Sequence, residues 1–168
     1  HRPIGLAFFN NHATAMDELG DYERAIALYT MILAAIPADT PTPTRMARVH
    51  SNLGVSYWKT GKLDEAMRHM EMAVDIEREQ GNLREAAMSL MNISSVLYEQ
   101  WEMAKALEYA KEAVAISKAI GEPHLIARLT PALAVRMVAS LQFDDALPVY
   151  EEALQSLHEI GDEVELAR

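Results

Sequence analysis

The sequence contains no cysteine. Disulfide bonds, a cysteine-ligated zinc site and a thiol nucleophile are therefore all excluded. Glycine is also scarce, with seven in 168 residues, and no glycine-rich loop of the kind that cradles phosphate groups is present. No uninterrupted apolar run approaches the roughly 20 residues that a membrane-spanning helix needs. The first residues lack the basic segment and apolar run of a signal peptide.

Positive charge is in deficit. Lysine and arginine number 15 against 25 aspartates and glutamates, which gives a net charge of −10 and a pI near 5.0. This balance argues against binding to nucleic acid or to an anionic membrane, because both need an excess of positive charge. Hydrophobic residues make up 50% and charged residues 24%, as in a globular protein. We expect a cytoplasmic protein with neither nucleic acid nor membrane as a partner.

Arrangements that carry catalytic chemistry are missing as well. The six histidines show no ligand spacing such as H-E-x-x-H, and His50 and His69 fall on different predicted helices. The paired carboxylates Asp144-Asp145 and Glu151-Glu152 lie on polar helix segments, where nothing apolar raises the pKa of a carboxyl for acid catalysis. We therefore predict no metal site, no cofactor and no enzymatic activity.

What the sequence does contain is a repeat with a period of about 40 residues. Three sets of residues recur with this spacing: Ala25, Ala66, Ala106 and Ala146; then Ile32, Ala73, Ala113 and Ala153; then Gly81, Gly121 and Gly161. Such self-similarity is typical of proteins built by stacking one supersecondary unit.

The repeats read as helices. Between Leu63 and Gln80 the apolar residues recur about every 3.6 positions, opposite a polar face. Gly81, Gly121 and Gly161 are expected to end helices, and Pro123 is expected to begin one. Thr42 is expected to cap a helix that starts at Pro43, and Pro131 is expected to kink or delay the helix that contains it. We predict two helices in each repeat, nine helical segments and no strands.

These segments predict an all-α fold, a right-handed α-solenoid of stacked antiparallel helix pairs, because one pair cannot bury its apolar face alone. One array is expected to span residues 1–168. Its four repeats cover about 1–40, 41–81, 82–121 and 122–161, and residues 162–168 are expected to open a fifth, truncated repeat. Neither end has an obvious polar capping helix, so we expect the array to continue in a longer protein.

The second repeat resembles a known family. Residues His50 to Val74 read H-S-N-L-G-V-S-Y-W-K-T-G-K-L-D-E-A-M-R-H-M-E-M-A-V. This resembles the tetratricopeptide repeat (TPR), although the period is longer than the usual length of about 34 residues. It is similar to the long repeats of kinesin light chains, LGN-type polarity scaffolds, and bacterial regulators such as MalT and the quorum-peptide receptors.

The other repeats depart from this pattern. His12-Ala13, Ile93-Ser94 and Leu133-Ala134 stand where the second repeat has Leu53-Gly54. Small or apolar character is kept at these packing positions, so the expected fold stands. In addition, Trp101 and Leu141 replace the turn glycine.

Asparagines recur at one place in the first helices of three repeats: Asn11, Asn52 and Asn92, with Ala132 in the fourth. An amide side chain offers both a donor and an acceptor, so it can pair with an extended peptide backbone. In the long-repeat proteins that this sequence resembles, asparagines at this place hold bound peptides. The alternative is that these amides bond to a neighbouring helix or to water.

Further residues are predicted to face the inner wall of the array. Arg48 and Arg128 are in register and would bind a carboxylate, although structural ion pairs are an equal alternative. Trp58 and Tyr98 would form an aromatic floor for a ligand or pack between repeats. The remaining candidates are two serines and two methionines, the latter forming either an adaptable apolar surface or core: Ser51, Ser95, Met88 and Met91.

The sequence favours a protein-interaction module that binds an extended peptide or partner segment within a larger regulatory or signalling protein. A rival is a spacer without a peptide ligand, which self-associates into a homo-oligomer through open apolar ends. A third interpretation is the peptide-gated sensor domain of a bacterial regulator. Fold alone does not choose among these three functions.

Overall fold

The structure of the protein is a computed structural model that describes residues 4–36 and 42–166. These residues form helices and short turns, with no strand in the described ranges. Eight helices are present there: α1 (Ile4–Glu18), α2 (Tyr22–Ala35), α3 (Pro43–Lys59), α4 (Leu63–Glu79), α5 (Leu83–Glu99), α6 (Met103–Ile120), α7 (Pro123–Ala139) and α8 (Phe143–Leu166). The predicted all-α class is confirmed.

The chain divides into two compact units, residues 1–82 and residues 83–168. In unit 1, α1 pairs with α2 and α3 pairs with α4, while α2 packs on α3. In unit 2, α5 pairs with α6 and α7 pairs with α8, while α7 packs on both α6 and α5. Because a turn of a few residues joins the members of each pair, the paired helices run antiparallel. We call α1, α3, α5 and α7 the first helices.

Two of the residue sets that recur about every 40 residues, which we call the ladders, lie in the core. The turn-proximal alanines are at most 1% exposed, and the second ladder is at most 3% exposed. The first set is Ala25, Ala66, Ala106 and Ala146, and the second is Ile32, Ala73, Ala113 and Ala153. The residues that recur with the 40-residue period therefore occupy packing positions in each helix pair.

Gly54 marks the closest approach between the two helices of a pair. A Cβ atom at this position would lie 2.7 Å from Cγ of Met70 and 3.1 Å from the carbonyl oxygen of Ala66. Both of those residues belong to α4. Since α3 and α4 leave no room for a methyl group, glycine is required at this position by contact rather than by backbone conformation.

The turns that join the two helices of each pair use different residues in unit 1 and unit 2, although the backbone conformation is the same. Gly20 and Gly61 have φ values of 80° and 76°, whereas Trp101 and Leu141 have φ values of 63° and 60°. A left-handed conformation costs a residue with a Cβ about 1–2 kcal/mol. Both bulky side chains are also highly exposed, 82% for Trp101 and 76% for Leu141.

Several expected helix boundaries are confirmed and one is wrong. Helix α7 begins at Pro123, and α3 begins at Pro43 after Thr42, although the Thr42 side chain makes no capping hydrogen bond. Pro131 lies inside α7 without ending it, and the helix continues to Ala139. None of the eight described helices is both long and apolar enough to cross a bilayer.

Gly161 does not end a helix. Helix α8 continues through it to Leu166, so the expected ninth segment is not separate within the described residues. Gly161 is absent from the glycines with positive φ, and no proline follows it, whereas Pro123 comes two residues after Gly121. The glutamates and leucine of residues 162–166 are good helix formers, which favours continuation.

Substitution by alanine should have opposite effects at these two glycines. We expect Gly54→Ala to lower the free energy of unfolding by about 1–3 kcal/mol, because the added methyl group overpacks the α3–α4 contact. Gly161→Ala should raise it by up to about 1 kcal/mol, because its Cβ meets nothing within 4 Å and alanine is the better helix former. Urea unfolding followed by circular dichroism measures both. Destabilisation by Gly161→Ala would mean that the helix ends there.

Replacing the strained turn residue should stabilise unit 2. We expect Trp101→Gly to raise the free energy of unfolding by up to about 1 kcal/mol, because glycine adopts positive φ without steric cost. Gln100→Gly is the matched control, since Gln100 precedes the turn residue and lacks a positive φ; it should be destabilising. Thermal unfolding of both variants measures the two changes in stability. A loss of stability in Trp101→Gly would contradict the prediction and show that the indole contributes to packing.

Candidate functional site

The predicted binding residues all lie on first helices. In unit 1, α1 carries Asn11, and α3 carries Arg48, Ser51, Asn52 and Trp58. In unit 2, α5 carries Met88, Met91, Asn92, Ser95 and Tyr98, and α7 carries Arg128. Each unit therefore presents its own candidate surface on a pair of first helices, α1 with α3 and α5 with α7.

The three asparagines differ in their surroundings. Asn11 is exposed and Asn92 is half-buried, and neither side chain hydrogen-bonds to another described residue. The Asn52 side chain instead hydrogen-bonds to the phenol of Tyr29 on α2. Asn52 therefore makes the hydrogen bond to a neighbouring helix that the sequence analysis gave as the alternative to peptide binding.

Tyr29 belongs to a polar network inside unit 1. Its hydroxyl donates to Oδ2 of Asp17 at 2.9 Å and lies 3.2 Å from Oγ1 of Thr14. Ser56 donates to the other oxygen of Asp17 at 2.6 Å. Burial, followed by smaller effects that include the charge of Asp17, raises the pKa of Tyr29 to about 12. Burial also raises the pKa of Asp17 above its usual value, against the effect of these two hydrogen bonds.

A histidine pair joins α3 to α4. Nδ1 of His50 lies 2.8 Å from Nδ1 of His69, and the His69 ring stacks on Tyr57 with the ring centroids 5.5 Å apart. Nη2 of Arg68 lies 3.3 Å from Nε2 of His69. The two histidines do lie on different helices, as predicted, but spacing along the sequence did not show that they meet.

Both histidines of this pair are held in the neutral form. Burial, followed by the electrostatic effects of His50 and Arg68, lowers the pKa of His69 to about 4, and Glu65 opposes this shift. Burial and Arg68 likewise lower the pKa of His50. One neutral ring donates and the other accepts. In the part of the chain that the structure describes, no group of three or more His, Cys, Asp or Glu residues is arranged to hold a metal ion.

In unit 2 the structure shows a buried charged residue, Arg136, that is not among the candidates predicted from the sequence. Arg136 on α7 is only 9% exposed. Its Nη2 donates to Oγ of Ser95 at 2.9 Å, and its guanidinium carbon lies 4.5 Å from the centre of the Tyr98 ring. The repeat period could have indicated this residue. Ser56 and Val96 occupy the equivalent position in the two preceding repeats, and neither carries a charge.

The other candidates of unit 2 separate into surface and core. Arg128 is exposed, with its Nη1 3.9 Å from the sulfur of Met88. Met91 is 7% exposed and belongs to the core, which is the alternative role given for this methionine in the sequence analysis. It faces inward because it lies one position before Asn92, on the buried side of α5.

In unit 1, Arg48 is exposed and Ser51 and Trp58 are half-buried. Nζ of Lys59 lies 4.6 Å from the centre of the Trp58 ring. Arg48 forms no ion pair with any residue in the described ranges. The alternative role for this arginine, a structural ion pair, therefore has no acidic partner among those residues.

Comparison with known proteins gives a family and a set of folds. The tetratricopeptide repeat model matches residues 4–79 and 45–119. No curated protein matches the chain. Among solved structures, BtubC (BKLC) from P. vanneervenii is 22% identical with a TM-score of 0.77, covering 88% of this chain and 60% of that one.

Two bacterial regulators have similar folds. Aspartyl phosphate phosphatase F from Bacillus subtilis is 15% identical with a TM-score of 0.87, covering 99% of this chain and 43% of that one. The Rap conjugation gene regulator of plasmid pLS20, solved in complex with the Phr* peptide, is 20% identical with a TM-score of 0.73, covering 90% of this chain and 42% of that one. At such identities the likeness concerns the fold. The chain spans less than two thirds of the length of each of these three solved chains.

The histidine pair predicts a loss of stability in acid. Because the pKa of His69 falls from 6.5 to about 4 on folding, the unfolded chain binds more protons below pH 6.5. The free energy of unfolding should therefore be constant above that pH and fall by up to about 3 kcal/mol towards pH 4. Asp17, whose pKa is raised on folding, acts in the opposite sense.

Urea unfolding between pH 7.5 and 5 measures this effect. A His69→Gln variant should lose most of the pH dependence. The exposed His124 provides the matched control, and His124→Gln should keep it. A wild-type stability that stays flat from pH 7.5 to 5 would contradict the neutral, buried pair.

Proposed function

Because the chain belongs to the tetratricopeptide repeat family, we propose that it is a non-catalytic protein-interaction module within a larger regulatory or signalling protein. Its first helices bind an extended peptide or a partner segment. The shared repeat fold supports an interaction role in general, and the chemistry of the first helices supports the more specific one.

The proposal depends mainly on the asparagines. Asn11 and Asn92 sit at equivalent positions of α1 and α5, are at least partly exposed, and make no side-chain hydrogen bond within the described residues. Each amide therefore has a donor and an acceptor available for the N–H and C=O groups of an extended ligand. Asn52 at the same position of α3 has part of its capacity committed to Tyr29.

The residues beside these amides suit a peptide. Trp58 and Tyr98 supply aromatic surface, Ser51 and Ser95 supply hydroxyls, Arg48 and Arg128 supply positive charge, and Met88 supplies apolar contact. Aromatic and arginine side chains are enriched among residues that dominate binding energy. A regulator of similar fold was solved with a bound peptide, which supports the same use of the fold here. With a short peptide as ligand, the chain would serve as the sensor portion of a larger regulator.

The strongly perturbed titratable groups support a non-catalytic role. Asp17, Tyr29, His50 and His69 are hydrogen-bonded to one another or to neighbouring side chains inside unit 1. A catalytic acid or base must instead reach a substrate atom within hydrogen-bonding distance. The hydrogen bonds of these groups instead join the helices of unit 1 to one another.

A second candidate function, self-association, has its own supporting observation. Four apolar residues on one stripe of α8 are each more than half exposed: Phe143, Leu147, Leu154 and Leu157. Their equivalents on α6 include Leu107 and Val114, which are at most 5% exposed. An exposed apolar stripe of this kind is typical of an interaction site, and a second copy of the chain would cover it in a homo-oligomer.

The peptide function is tested by selecting binders from a random-peptide display library and measuring their affinities. We expect Asn11→Ala to weaken peptides that bind unit 1, and Asn92→Ala to weaken peptides that bind unit 2, each by about two- to tenfold, because one lost hydrogen bond contributes about 0.5–1.5 kcal/mol. These two positions are preferable to Asn52, whose replacement would also disturb the Tyr29 network.

Lys111→Ala on the exposed face of α6 is the matched control and should leave affinity unchanged. If both single variants bind every selected peptide as tightly as the wild type, the proposed role of the asparagines is wrong. If the library yields no binder and the chain sediments as a dimer at micromolar concentration, self-association is the function instead.

A further inference from the structure

Two bulky apolar side chains are displayed in the helix turns of unit 2. Trp101 lies between α5 and α6, and Leu141 lies between α7 and α8. Within the described ranges these are the two non-glycine residues with positive φ, 63° and 60°, and they are 82% and 76% exposed. Because so little of either side chain touches the rest of the chain, packing does not offset the steric cost of the left-handed backbone. We call Trp101 and Leu141 the turn-edge residues.

The fold does not require a side chain at these turns. In unit 1, Gly20 and Gly61 form the equivalent turns at φ values of 80° and 76°, and glycine adopts this conformation without steric cost. Compared with glycine, the turn-edge residues therefore strain unit 2 and leave apolar surface in water. Backbone strain clusters at functional sites, which indicates that these side chains make a contact outside the free chain.

The two turns lie at the same end of unit 2. Since α5 runs antiparallel to α6, and α6 runs antiparallel to α7, the helices α5 and α7 are parallel and the turns that follow them share one edge. Helix α7 also packs on α5, and the axes of packed helices are about 8–10 Å apart. The turn-edge residues are therefore neighbours on one surface, separated by about one helix diameter.

Negative charge surrounds the turn-edge residues. Four exposed carboxylates lie within four residues of them along the chain: Glu99, Glu102, Asp144 and Asp145. The one lysine or arginine within the same distance, Lys105, pairs with Glu102 at 3.4 Å. Pairing this edge with a second copy of itself would bring like charges together, whereas a basic surface is complementary to it. The charge therefore favours a basic partner over self-association at this edge.

We propose that the turn-edge residues bind a basic amphipathic helix of a partner protein. Trp101 and Leu141 pack against the apolar stripe of that helix, and the four carboxylates attract the lysines or arginines beside the stripe. Tryptophan is enriched among the residues that dominate binding energy, so Trp101 carries the larger share of the affinity.

The separation of the turn-edge residues sets the pattern of the ligand. Residues seven positions apart on a helix share one face and lie about 10.5 Å apart, at a rise of 1.5 Å per residue. This length is close to the axis separation of packed helices, so one apolar residue meets Trp101 and the residue seven positions away meets Leu141. The site lies beyond the C-terminal ends of α5 and α7. It adds to the first-helix surfaces of the proposed peptide function, and either can fail without the other.

The probe is an acetylated and amidated peptide with two copies of the heptad Leu-Lys-Lys-Leu-Ala-Lys-Lys. It is titrated into a Trp58→Phe chain, in which Trp101 is the only tryptophan. We expect a saturable shift of the Trp101 emission to shorter wavelength, because the exposed indole enters an apolar contact. A peptide of the same composition in scrambled order should bind at least tenfold more weakly. Equal affinities for both peptides, or an emission that does not move, would overturn the inference.

Glycine substitution separates binding from folding. Trp101→Gly/Leu141→Gly keeps the net charge and relieves the strain, so this variant should unfold at a higher temperature yet bind the probe at least tenfold more weakly by calorimetry. Leu19→Ala, at a leucine of unit 1 that is 78% exposed, is the matched control and should bind like the wild type. A glycine variant that binds at full strength would refute the site, and its stability excludes misfolding as the cause of a loss.

Two further measurements test the chemistry of the partner. Asp144→Asn/Asp145→Asn keeps both turn-edge residues and should bind the probe at least threefold more weakly; an unchanged affinity would refute the requirement for a basic ligand. Phosphatidylcholine vesicles should leave the Trp101 emission unchanged. A shift with vesicles and none with the peptide would identify a membrane as the occupant and overturn the proposal.

Discussion

The close approach of the two helices in each pair is the constraint on which the rest of the structure depends. Ala25, Ala66, Ala106 and Ala146 are essentially inaccessible to solvent, and at Gly54 even a methyl group has no room. Close packing of this kind tolerates little change in volume. The constraint falls on the same position of every pair, and for this reason the period of 40 residues is visible in the sequence.

Positions between these contacts are much less constrained, and the two units use them differently. Ser56, Val96 and Arg136 are equivalent by the repeat period, and all three are buried. In unit 1 the serine joins Asp17 in a satisfied network. In unit 2 the valine is plain core, and the arginine brings a charge between α5 and α7. The same backbone thus accepts three different side-chain chemistries at one repeat position, so the fold does not dictate the residue there.

The sequence is sufficient to predict the helices, their pairing and the core ladders, because these follow from local periodicity and from prolines at helix starts. It is not sufficient for contacts that depend on how one helix is rotated against another. His50 and His69 are 19 residues apart, and only the packing of α3 on α4 brings their Nδ1 atoms to within 2.8 Å of each other. Gly161 shows a different limit, because a glycine permits a left-handed turn without requiring one.

Asn52 shows why a ladder of identical residues does not imply identical roles. Its amide reaches Tyr29 on α2, whereas Met70 and Ala110 occupy the place of Tyr29 in the next two repeats. An amide beside those residues would find no phenol. The residue type recurs with the repeat, but its partners lie on second helices that vary independently, so the ladder alone could not predict which asparagines keep their hydrogen-bonding capacity.

The energetics of Arg136 bear on what unit 2 is built to do. If this position served packing alone, an apolar residue such as the equivalent Val96 would serve it at lower cost, since replacing buried charges by apolar groups is often neutral or stabilising. Ser95 and Tyr98 offset part of the desolvation cost, but Nε remains unsatisfied.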